Sequence, residues 1–468
     1  MEPPTPPTTP AYDLELMRAT LQQYLVAPGR TAYQVRECRI TNRRRRDGSS
    51  GTVQYDVRLE DPATGHAWNQ IVTGISYGGT RTRRAWKSIH RSAAPDTDPA
   101  TRSALPPYAY VPELDLLLQV FPHDHQMPAL AQLMEGPPAK LMPALMEEFG
   151  SGDWELTSWD AATVQYRVDR RAILRLTVGM TDRSTGRTST REFYAKVYRD
   201  ADGGRYAFRA QSDLHQRASA AGTHLVVAKP IVYADELRTL VTEAISGTSL
   251  SKIIKRGVGS REAVNSAARA VAEFHHLDVF APQRPIAEEM ARLREAQDII
   301  ATARPDLADV VRGMVEAIAS GLEGAPSSLI HGDLKPDHIL VDGDRVALID
   351  FDLLGAADPI IDIAHLLGFL RTPQERSRSR GDDAEDVGQV FIDGYFTHAP
   401  DSGRARLPLH HAMTSIYRAV GLSRRPGEKH EPQQRVEAVL REGQAFLEKG
   451  ADGSLPSYKR RLTRSAVC

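Results

Sequence analysis

The chain has 468 residues, which at roughly 150 residues per domain corresponds to about three domains or lobes. Its 41% hydrophobic and 25% charged residues are ordinary for a soluble globular protein, and a formal net charge of −1 gives no overall field to attract nucleic acid or a membrane surface. No apolar run is long enough to span a bilayer, and the first residues lack the basic and apolar regions of a secretory signal. Two cysteines, Cys38 and Cys468, are too few for a disulfide framework or a cysteine zinc site, so we expect a cytoplasmic protein.

Strand patterns dominate the N-terminal third of the chain. Residues 1–12 contain five prolines and are predicted to form a disordered tail. Strands are predicted from about Tyr33 to Tyr77, where Val53, Tyr55, Val57 and Leu59 alternate with polar residues as in a half-buried strand, and Leu114–Phe121 is a further short apolar strand. The polar stretch 79–106 is predicted to be a loop. We therefore assign residues 13–145 to a strand-rich N-terminal domain.

A similar pattern returns in residues 150–246. Strands are predicted at Arg171–Met180, Phe193–Tyr198 and Leu237–Ala244, and a turn at Asp182–Gly186. These residues form a second predicted sheet domain.

The two stretches resemble one unit used twice. The turn DPATG at Asp61–Gly65 lies over DRSTG at Asp182–Gly186 with a shift of 121 residues, and without a gap Tyr77 then falls on Tyr198. The strand that begins at Leu114 matches a later strand at a shift of 123 residues. This agreement favours a duplication, although any two small antiparallel sheets can share such patterning.

Helical patterns replace the strands after Gly247. Apolar residues recur at helical spacing in Ser260–Leu277, and further helices are predicted in 285–302, 306–322, 384–395 and 433–447. We assign residues 247–450 to a helical lobe and 451–468 to a tail. Strands followed by helices predict an α+β fold with a sheet lobe and a helical lobe.

Polar and ionisable residues gather at strand ends in LIHGDLKPDHILVDGDRVALIDFDLLG. Asp350 directly follows the apolar run Val346–Ile349, where a carboxylate costs desolvation energy unless something pairs with it. A magnesium ion is the natural candidate, because it prefers oxygen ligands and binds through carboxylates and phosphates.

The motif HGDLKPDHIL, followed by LIDFD and DPIID, resembles the signature of aminoglycoside phosphotransferases, choline kinases and related small-molecule kinases. It is also similar to the catalytic loop of protein kinases, and Asp350 stands 17 residues after Asp333. The resemblance implies a two-lobed protein-kinase-like fold, with 150–246 as its sheet lobe. It implies transfer of the γ-phosphoryl group of ATP (or GTP), with Mg²⁺, to a hydroxyl of a small molecule such as a sugar, an amino alcohol or an aminoglycoside.

The resemblance also implies roles for individual residues of this chain. Asp333 is the catalytic base, Lys335 reaches the γ-phosphate, and Asp350 holds the metal. Lys196, in FYAKVY, holds the α- and β-phosphates from a sheet-lobe strand.

Adenine would be bound by a hinge. VTEAISGTSL resembles the family's hinge, and we expect the backbone of Glu243 and Ile245 to contact the base. His331, Asp358 and Asp362 are expected to support the loop rather than react.

Three departures from the family pattern support a rival hypothesis. His338 stands where family members have an asparagine metal ligand, which makes Mn²⁺ a possible alternative to Mg²⁺. The stretch 205–220 has no glutamate to pair with the lysine, with Asp213 as the nearest acid, and no glycine-rich loop precedes the second sheet. A pseudokinase, binding nucleotide or acting as a scaffold without turnover, is the alternative.

The remaining predictions concern the acceptor and the first copy. The acceptor is expected near residues 375–450, with Asp393, His410, His411 and Tyr417 as candidate contacts.

Ile75 of the first copy matches Lys196, so that copy would be a degenerate lobe acting as a cap, a brace or an interaction surface. We expect neither nucleic acid nor a membrane as a partner, because the basic run Arg43–Arg46 is too small for nucleic-acid binding and decorates a hairpin tip. The oligomeric state is open.

Overall fold

A computed structural model describes residues 10–26, 33–45, 50–92, 105–168, 170–257, 259–370, 387–423 and 431–451. The chain divides into two compact units. The first unit comprises residues 1–205 and 231–242, and the second comprises 206–230 and 243–468. The predicted tails lie outside the described residues, apart from a short 3₁₀ turn at Pro10–Tyr12 and the end of the last helix at Ala451.

In its described residues, the first unit contains two five-stranded sheets, four complete helices and the start of a fifth helix. The strands are β1 Gln34–Arg45, β2 Gly51–Glu60, β3 Ala67–Ser76, β4 Tyr108–Val111, β5 Leu116–Val120, β6 Trp154–Arg167, β7 Arg171–Asp182, β8 Thr188–Tyr198, β10 Pro230–Ala234 and β11 Thr239–Glu243. The helices are α1 Leu14–Leu25, α2 Thr80–Ser92, α3 Ala129–Glu135, α4 Met142–Glu147 and α5 Ala201–Ala221, of which α5 crosses into the second unit.

The second unit is mainly helical in its described part. Its helices are α6 Leu250–Arg256, α7 Ser260–His275, α8 Ile286–Ala303, α9 Ala308–Gly321, α10 Ile360–Leu370, α11 Val387–Phe396, α12 Leu407–Ser423 and α13 Glu431–Ala451. Its short strands are β9 Leu225–Val227, β12 Thr248–Ser249, β13 Ser328–Ile330, β14 Ile339–Asp342, β15 Arg345–Leu348 and β16 Gly355–Ala357. The α+β class predicted from the sequence is confirmed.

The two sheets of the first unit have the same topology. Their strand orders are β1-β2-β3-β5-β4 and β6-β7-β8-β11-β10. Along the chain, a helix follows the third strand of each sheet, α2 after β3 and α5 after β8. The register also agrees: Thr52 pairs with Ile75 in the first sheet, and Ile173 pairs with Lys196 in the second, each shifted by 121 residues. The structure thus supports the duplication, and we call β1–β5 the first sheet copy and β6–β8 with β10 and β11 the second.

The hairpin turns of the two copies share two hydrogen bonds to their first aspartate. In the first copy the N–H of Gly65 donates to the carbonyl of Asp61, and Thr64 Oγ1 donates to its carboxylate. In the second, Gly186 and Thr185 make the same bonds to Asp182. Both glycines have φ of +71°, a left-handed conformation that glycine adopts without strain. Aspartate caps such turns because its short side chain reaches the following backbone.

Each sheet copy buries one face beneath helices that precede it in the chain. In the first copy the alternating Val53, Tyr55, Val57 and Leu59 share a core with α1. The same positions of the second copy, Leu174 to Met180, share a core with α3 and α4. Period-two alternation places these residues on one face, and burying that face supplies most of the driving force for folding.

The predicted loop at 79–106 is wrong in its first half, where α2 lies. Thr82, Ala85, Trp86 and Ile89 recur at helical spacing and face inward to differing degrees, while the basic residues point outward. The sequence pattern did not reveal this stripe, because it consists of only four positions among many charged residues. Residues 93–104 lie outside the described residues.

In the second unit, α7 is the central helix of the core. Ala267, Ala268, Val271 and Phe274 are fully buried there, and they pack in one cluster with the β14–β15 hairpin and α10. The hairpin turns at Gly343-Asp344. Within the described residues, no helix combines the length and apolar character needed to cross a membrane.

Candidate active site

The loop between β13 and β14 presents the first predicted site residues. It runs from His331 to His338 and ends in a short 3₁₀ turn at Pro336–His338. Lys335 Nζ donates to Asp333 Oδ2 at 2.9 Å, and both side chains are largely buried, at 18% and 28% exposed. A carboxylate and an amine, each with partial access to solvent, therefore stand side by side on this loop.

His331 fixes the backbone of this loop from beneath. Its Nε2 lies 2.9 Å from the carbonyl oxygen of Ile349, which can only accept, so this nitrogen carries the proton. Its Nδ1 is then free to accept the N–H of Asp333 at 3.4 Å. Fully buried, the imidazole links the Asp333 loop to the strand end that carries Asp350, in agreement with a supporting role.

Asp362 holds the same loop from α10. Its buried carboxylate accepts the N–H groups of His331 at 2.6 Å and Gly332 at 2.9 Å, and His275 Nε2 lies 3.1 Å away. Burial alone would raise the pKa of Asp362, but the hydrogen bond and charge of His275 and the bonds from His331 outweigh it and lower the pKa. Both oxygens of this carboxylate accept hydrogen bonds from the protein itself, as expected for a structural residue.

Asp358 is held by a pair that the sequence did not reveal. Arg406 binds it with two nitrogens, at 2.7 and 3.2 Å, and His410 Nε2 lies 2.7 Å from Oδ2. Burial works to raise the pKa of Asp358, yet the hydrogen bonds and charges of His410 and Arg406 hold it at about 2. Arg406 lies 48 residues from Asp358, so no local pattern could have identified it.

His338 faces Asp350 with a nitrogen lone pair. Its Nδ1 lies 3.0 Å from the carbonyl oxygen of Asp333 and must donate to it, so Nε2 is unprotonated in the neutral ring. Nε2 lies 3.4 Å from Asp350 Oδ2. Burial lowers the pKa of His338 to about 4, although the Asp350 carboxylate works in the opposite direction. Two acceptor atoms therefore point toward each other, an arrangement that a cation between them would stabilise.

A metal ion fits this group. Ligand atoms of Asp333, His338 and Asp350 all lie within 4.8 Å of one another. Asp350 has φ of +72°, a left-handed conformation that is unfavourable for aspartate and that occurs mainly where function or packing demands it. Carboxylates suit Mg²⁺ and Mn²⁺, while an imidazole nitrogen suits softer divalent metals better than it suits Mg²⁺.

The remaining predicted nucleotide residues occupy other elements. Lys196 lies on β8 opposite Ile173, on the sheet face away from the α3–α4 core, with Nζ 5.4 Å from the ring centre of Tyr198. Glu243 ends β11, and both its N–H and its carboxylate bond to the backbone of Lys229, at 3.0 and 2.7 Å. Asp333, Lys335, His338 and Asp350 come together in the second unit, with Glu243 and Ile245 in the same unit, whereas Lys196 belongs to the first.

The other predicted contacts have internal partners or lie outside the described chain. His410 and His411 are fully buried, and Tyr417 donates to Glu289 at 2.6 Å, whereas Asp393 is exposed on α11. Asp213 pairs with Arg217 one helical turn away, at 3.6 Å. Residues 371–386, at the start of the expected acceptor region, are not described.

A family model described as the phosphotransferase enzyme family matches residues 153–407, more than half of the chain. No curated protein is similar to the sequence. Among solved structures, a choline/ethanolamine kinase family protein from Mesorhizobium loti is 16% identical, with a TM-score of 0.42, covering 62% of this chain and 88% of that one. A choline kinase from Cryptosporidium parvum Iowa II is 10% identical, with a TM-score of 0.42 and coverages of 63% and 90%. An amicoumacin kinase solved with AMP-PNP and Ca²⁺ is 14% identical, with a TM-score of 0.40 and coverages of 63% and 89%.

Proposed function

Because the chain belongs to the phosphotransferase enzyme family, we propose that it transfers the γ-phosphoryl group of ATP to a hydroxyl group of a small molecule. Phosphoryl transfer requires little covalent chemistry from the protein, which mainly positions the reactants and neutralises charge. The observation that carries the proposal is the convergence of Asp333, His338 and Asp350 within 4.8 Å, with Lys335 bound to Asp333.

Each residue of the group has a role in this proposal. Asp333 orients the acceptor hydroxyl and accepts its proton, and Lys335 balances negative charge on the γ-phosphate. A divalent metal would be held by Asp350 and Nε2 of His338, and it would supply neutralisation of the phosphate charge. His331 and Asp362 keep the loop in place through their backbone bonds.

The nucleotide is proposed to use three further residues. Lys196 pairs with the α- and β-phosphates, as the lysine of a kinase sheet lobe does. The carbonyl of Glu243 and the N–H of Ile245 supply an acceptor and a donor for adenine. The division into an N-terminal domain, a sheet lobe and a helical lobe, and the cytoplasmic location, stay predictions alongside this one.

The second candidate is a pseudokinase that binds nucleotide without turnover. Two observations favour it: an imidazole occupies the position of the family's asparagine, and α5 contains no glutamate. The intact Asp333–Lys335 pair at 2.9 Å argues for catalysis. The two hypotheses differ in one measurable quantity, the transfer of phosphate in the presence of bound nucleotide.

The test is a screen of hydroxyl acceptors (sugars, amino alcohols and aminoglycosides) with labelled ATP and either Mg²⁺ or Mn²⁺. The Asp333→Asn variant should lose about 10²- to 10⁴-fold in turnover with little change in nucleotide affinity, because the lost group acts on the acceptor proton. Asp337→Asn is the matched control, since Asp337 is exposed on the same loop and has no assigned role. Nucleotide binding without transfer in either metal, or full activity in Asp333→Asn, would overturn the proposal in favour of the pseudokinase or another base.

A further inference from the structure

The two sheet copies differ in the face that lies opposite their helix-covered cores. In the first copy this face carries Thr73 and Ile75 of β3 and Gln119 of β5, since Thr73 pairs directly with Gln119 across the strands. All three are buried, at 1% exposed. Ile75 matches Lys196 at the shift of 121 residues, so the face that carries the lysine in one copy is closed in the other.

The second copy itself occupies this closed face. Tyr166, near the end of β6, donates its hydroxyl to Asp124 Oδ2 at 2.8 Å and accepts from Gln119 Nε2 at 3.1 Å. His125 continues the network, bonding to Gln119 Oε1 and to the hydroxyl of Tyr77, each at 3.0 Å. The closed face of the first copy is thus an interface with β6 of the second copy, and hydrogen bonds link the two.

The Tyr166–Asp124 link is a built contact. Asp124 is 1% exposed, and its other oxygen accepts the N–H groups of Gln126 at 2.8 Å and Met127 at 3.2 Å. The Tyr166 ring packs against Phe121 with centroids 5.0 Å apart. Burial raises the pKa of Tyr166 well above its usual range, so its hydroxyl keeps the proton that it donates. A buried carboxylate deprived of such a donor is unfavourable, which makes this geometry strongly preferred.

Tyr166 also stands at the base of the β6–β7 hairpin. It pairs with Ala172, and the turn above it closes with a bond from the N–H of Arg170 to the carbonyl of Arg167. In protein kinases a glycine-rich loop covers the nucleotide phosphates. The segment between Arg167 and Arg171 contains no glycine, so its backbone cannot adapt as a glycine loop does.

We propose that the first sheet copy is a brace for the nucleotide site, and that the Tyr166–Asp124 link fixes the β6–β7 hairpin in the position from which it covers the phosphates. This inference rests on the proposed function. Tyr166 and Asp124 are positioning residues that act through the hairpin and touch no reactant. The first copy could act as a cap, a brace or an interaction surface. The brace is favoured because the closed face is already occupied by the second copy.

The test compares two deletions of a buried tyrosine hydroxyl in the full-length protein. Tyr166→Phe removes the link, whereas Tyr55→Phe removes the bond to the carbonyl of Ala11, 2.6 Å away in the core on the opposite face of the first copy. We expect Tyr166→Phe to raise the nucleotide Kd and KM about tenfold with a smaller change in kcat, because a hydrogen bond to a carboxylate corresponds to at least that factor. Tyr55→Phe should leave Kd, KM and kcat unchanged.

A second measurement tests the brace even without nucleotide. Amide hydrogen exchange at Arg170 and Arg171 should become faster in Tyr166→Phe and not in Tyr55→Phe. Equal exchange and equal nucleotide affinity in the two variants would overturn the brace and leave the network with a role in stability alone. If the wild-type protein binds no nucleotide, the proposed function fails, while the exchange comparison still decides whether the hairpin is held by the link.

Discussion

The two sheet copies share strand order, register and hairpin turns, yet one carries Lys196 where the other buries Ile75. The features that the two copies share are the apolar alternation on the helix-covered face and the aspartate-capped turns. The opposite face differs between the copies: in one it is a candidate phosphate site, and in the other it is an interface. The same fold is thus built twice on one apolar face, while the other face differs between the copies in single side chains, of which Lys196 is the proposed phosphate ligand.

The largest effect should come from exchanging the matched positions. Lys196→Met removes the proposed phosphate contact and should weaken nucleotide binding by about 10- to 100-fold, as expected for a hydrogen bond to a charged group. Ile75→Met, a swap of similar volume in the first copy, should leave binding unchanged and cost less than about 1.5 kcal/mol of stability. Isothermal titration of both variants with ATP measures the difference.

Unaltered ATP binding in Lys196→Met would contradict the proposed contact between Lys196 and the nucleotide phosphates. Equal weakening in Ile75→Met would show that the first copy contributes to nucleotide binding by more than support.

A smaller effect concerns the repeated turns. Ser184 Oγ donates to Asp182 Oδ1 at 2.7 Å, whereas the first copy has Ala63 at that position. Hydrogen bonds from Ser184 and Thr185 hold the pKa of Asp182 at about 2, below its ordinary 3.8. Because the folded pKa is depressed, the contribution of this carboxylate to stability is complete above about pH 4 and is lost as the pH falls toward 2.

The Ser184→Ala variant makes the second turn resemble the first. Its Asp182 should titrate at a higher pH than in the wild type, measured by NMR of the carboxyl carbon, and acid unfolding should begin at a correspondingly higher pH. An unchanged Asp182 titration would show that the backbone alone sets the pKa.

Much of this arrangement could be predicted from the sequence, because the features are local. Alternation predicted the strands, the turns DPATG and DRSTG predicted the duplication, and one loop motif predicted that Asp333, Lys335, His338 and Asp350 come together. Such signals lie within about twenty residues, where spacing largely determines geometry.

The rest depends on distant pairs. Tyr166 and Asp124 are 42 residues apart, and Asp358 and Arg406 are 48 apart, so only tertiary packing brings them into contact. Helix α2 escaped prediction because its inward stripe is weakly apolar beneath a strongly basic surface. Lys196, Glu243 and Ile245 remain predictions for the nucleotide site.

The metal site is tested most directly by asking whether a metal bound with ATP has the His338 imidazole as a ligand. Mn²⁺ replaces Mg²⁺ for this purpose, and electron spin-echo modulation detects a coordinated nitrogen. We predict nitrogen modulation in the wild-type protein with Mn²⁺ and ATP, and its loss in His338→Asn while Mn²⁺ stays bound through oxygen ligands. Absence of nitrogen modulation in the wild type, or the same modulation in His338→Asn, would contradict the assignment of His338 as a ligand of the metal.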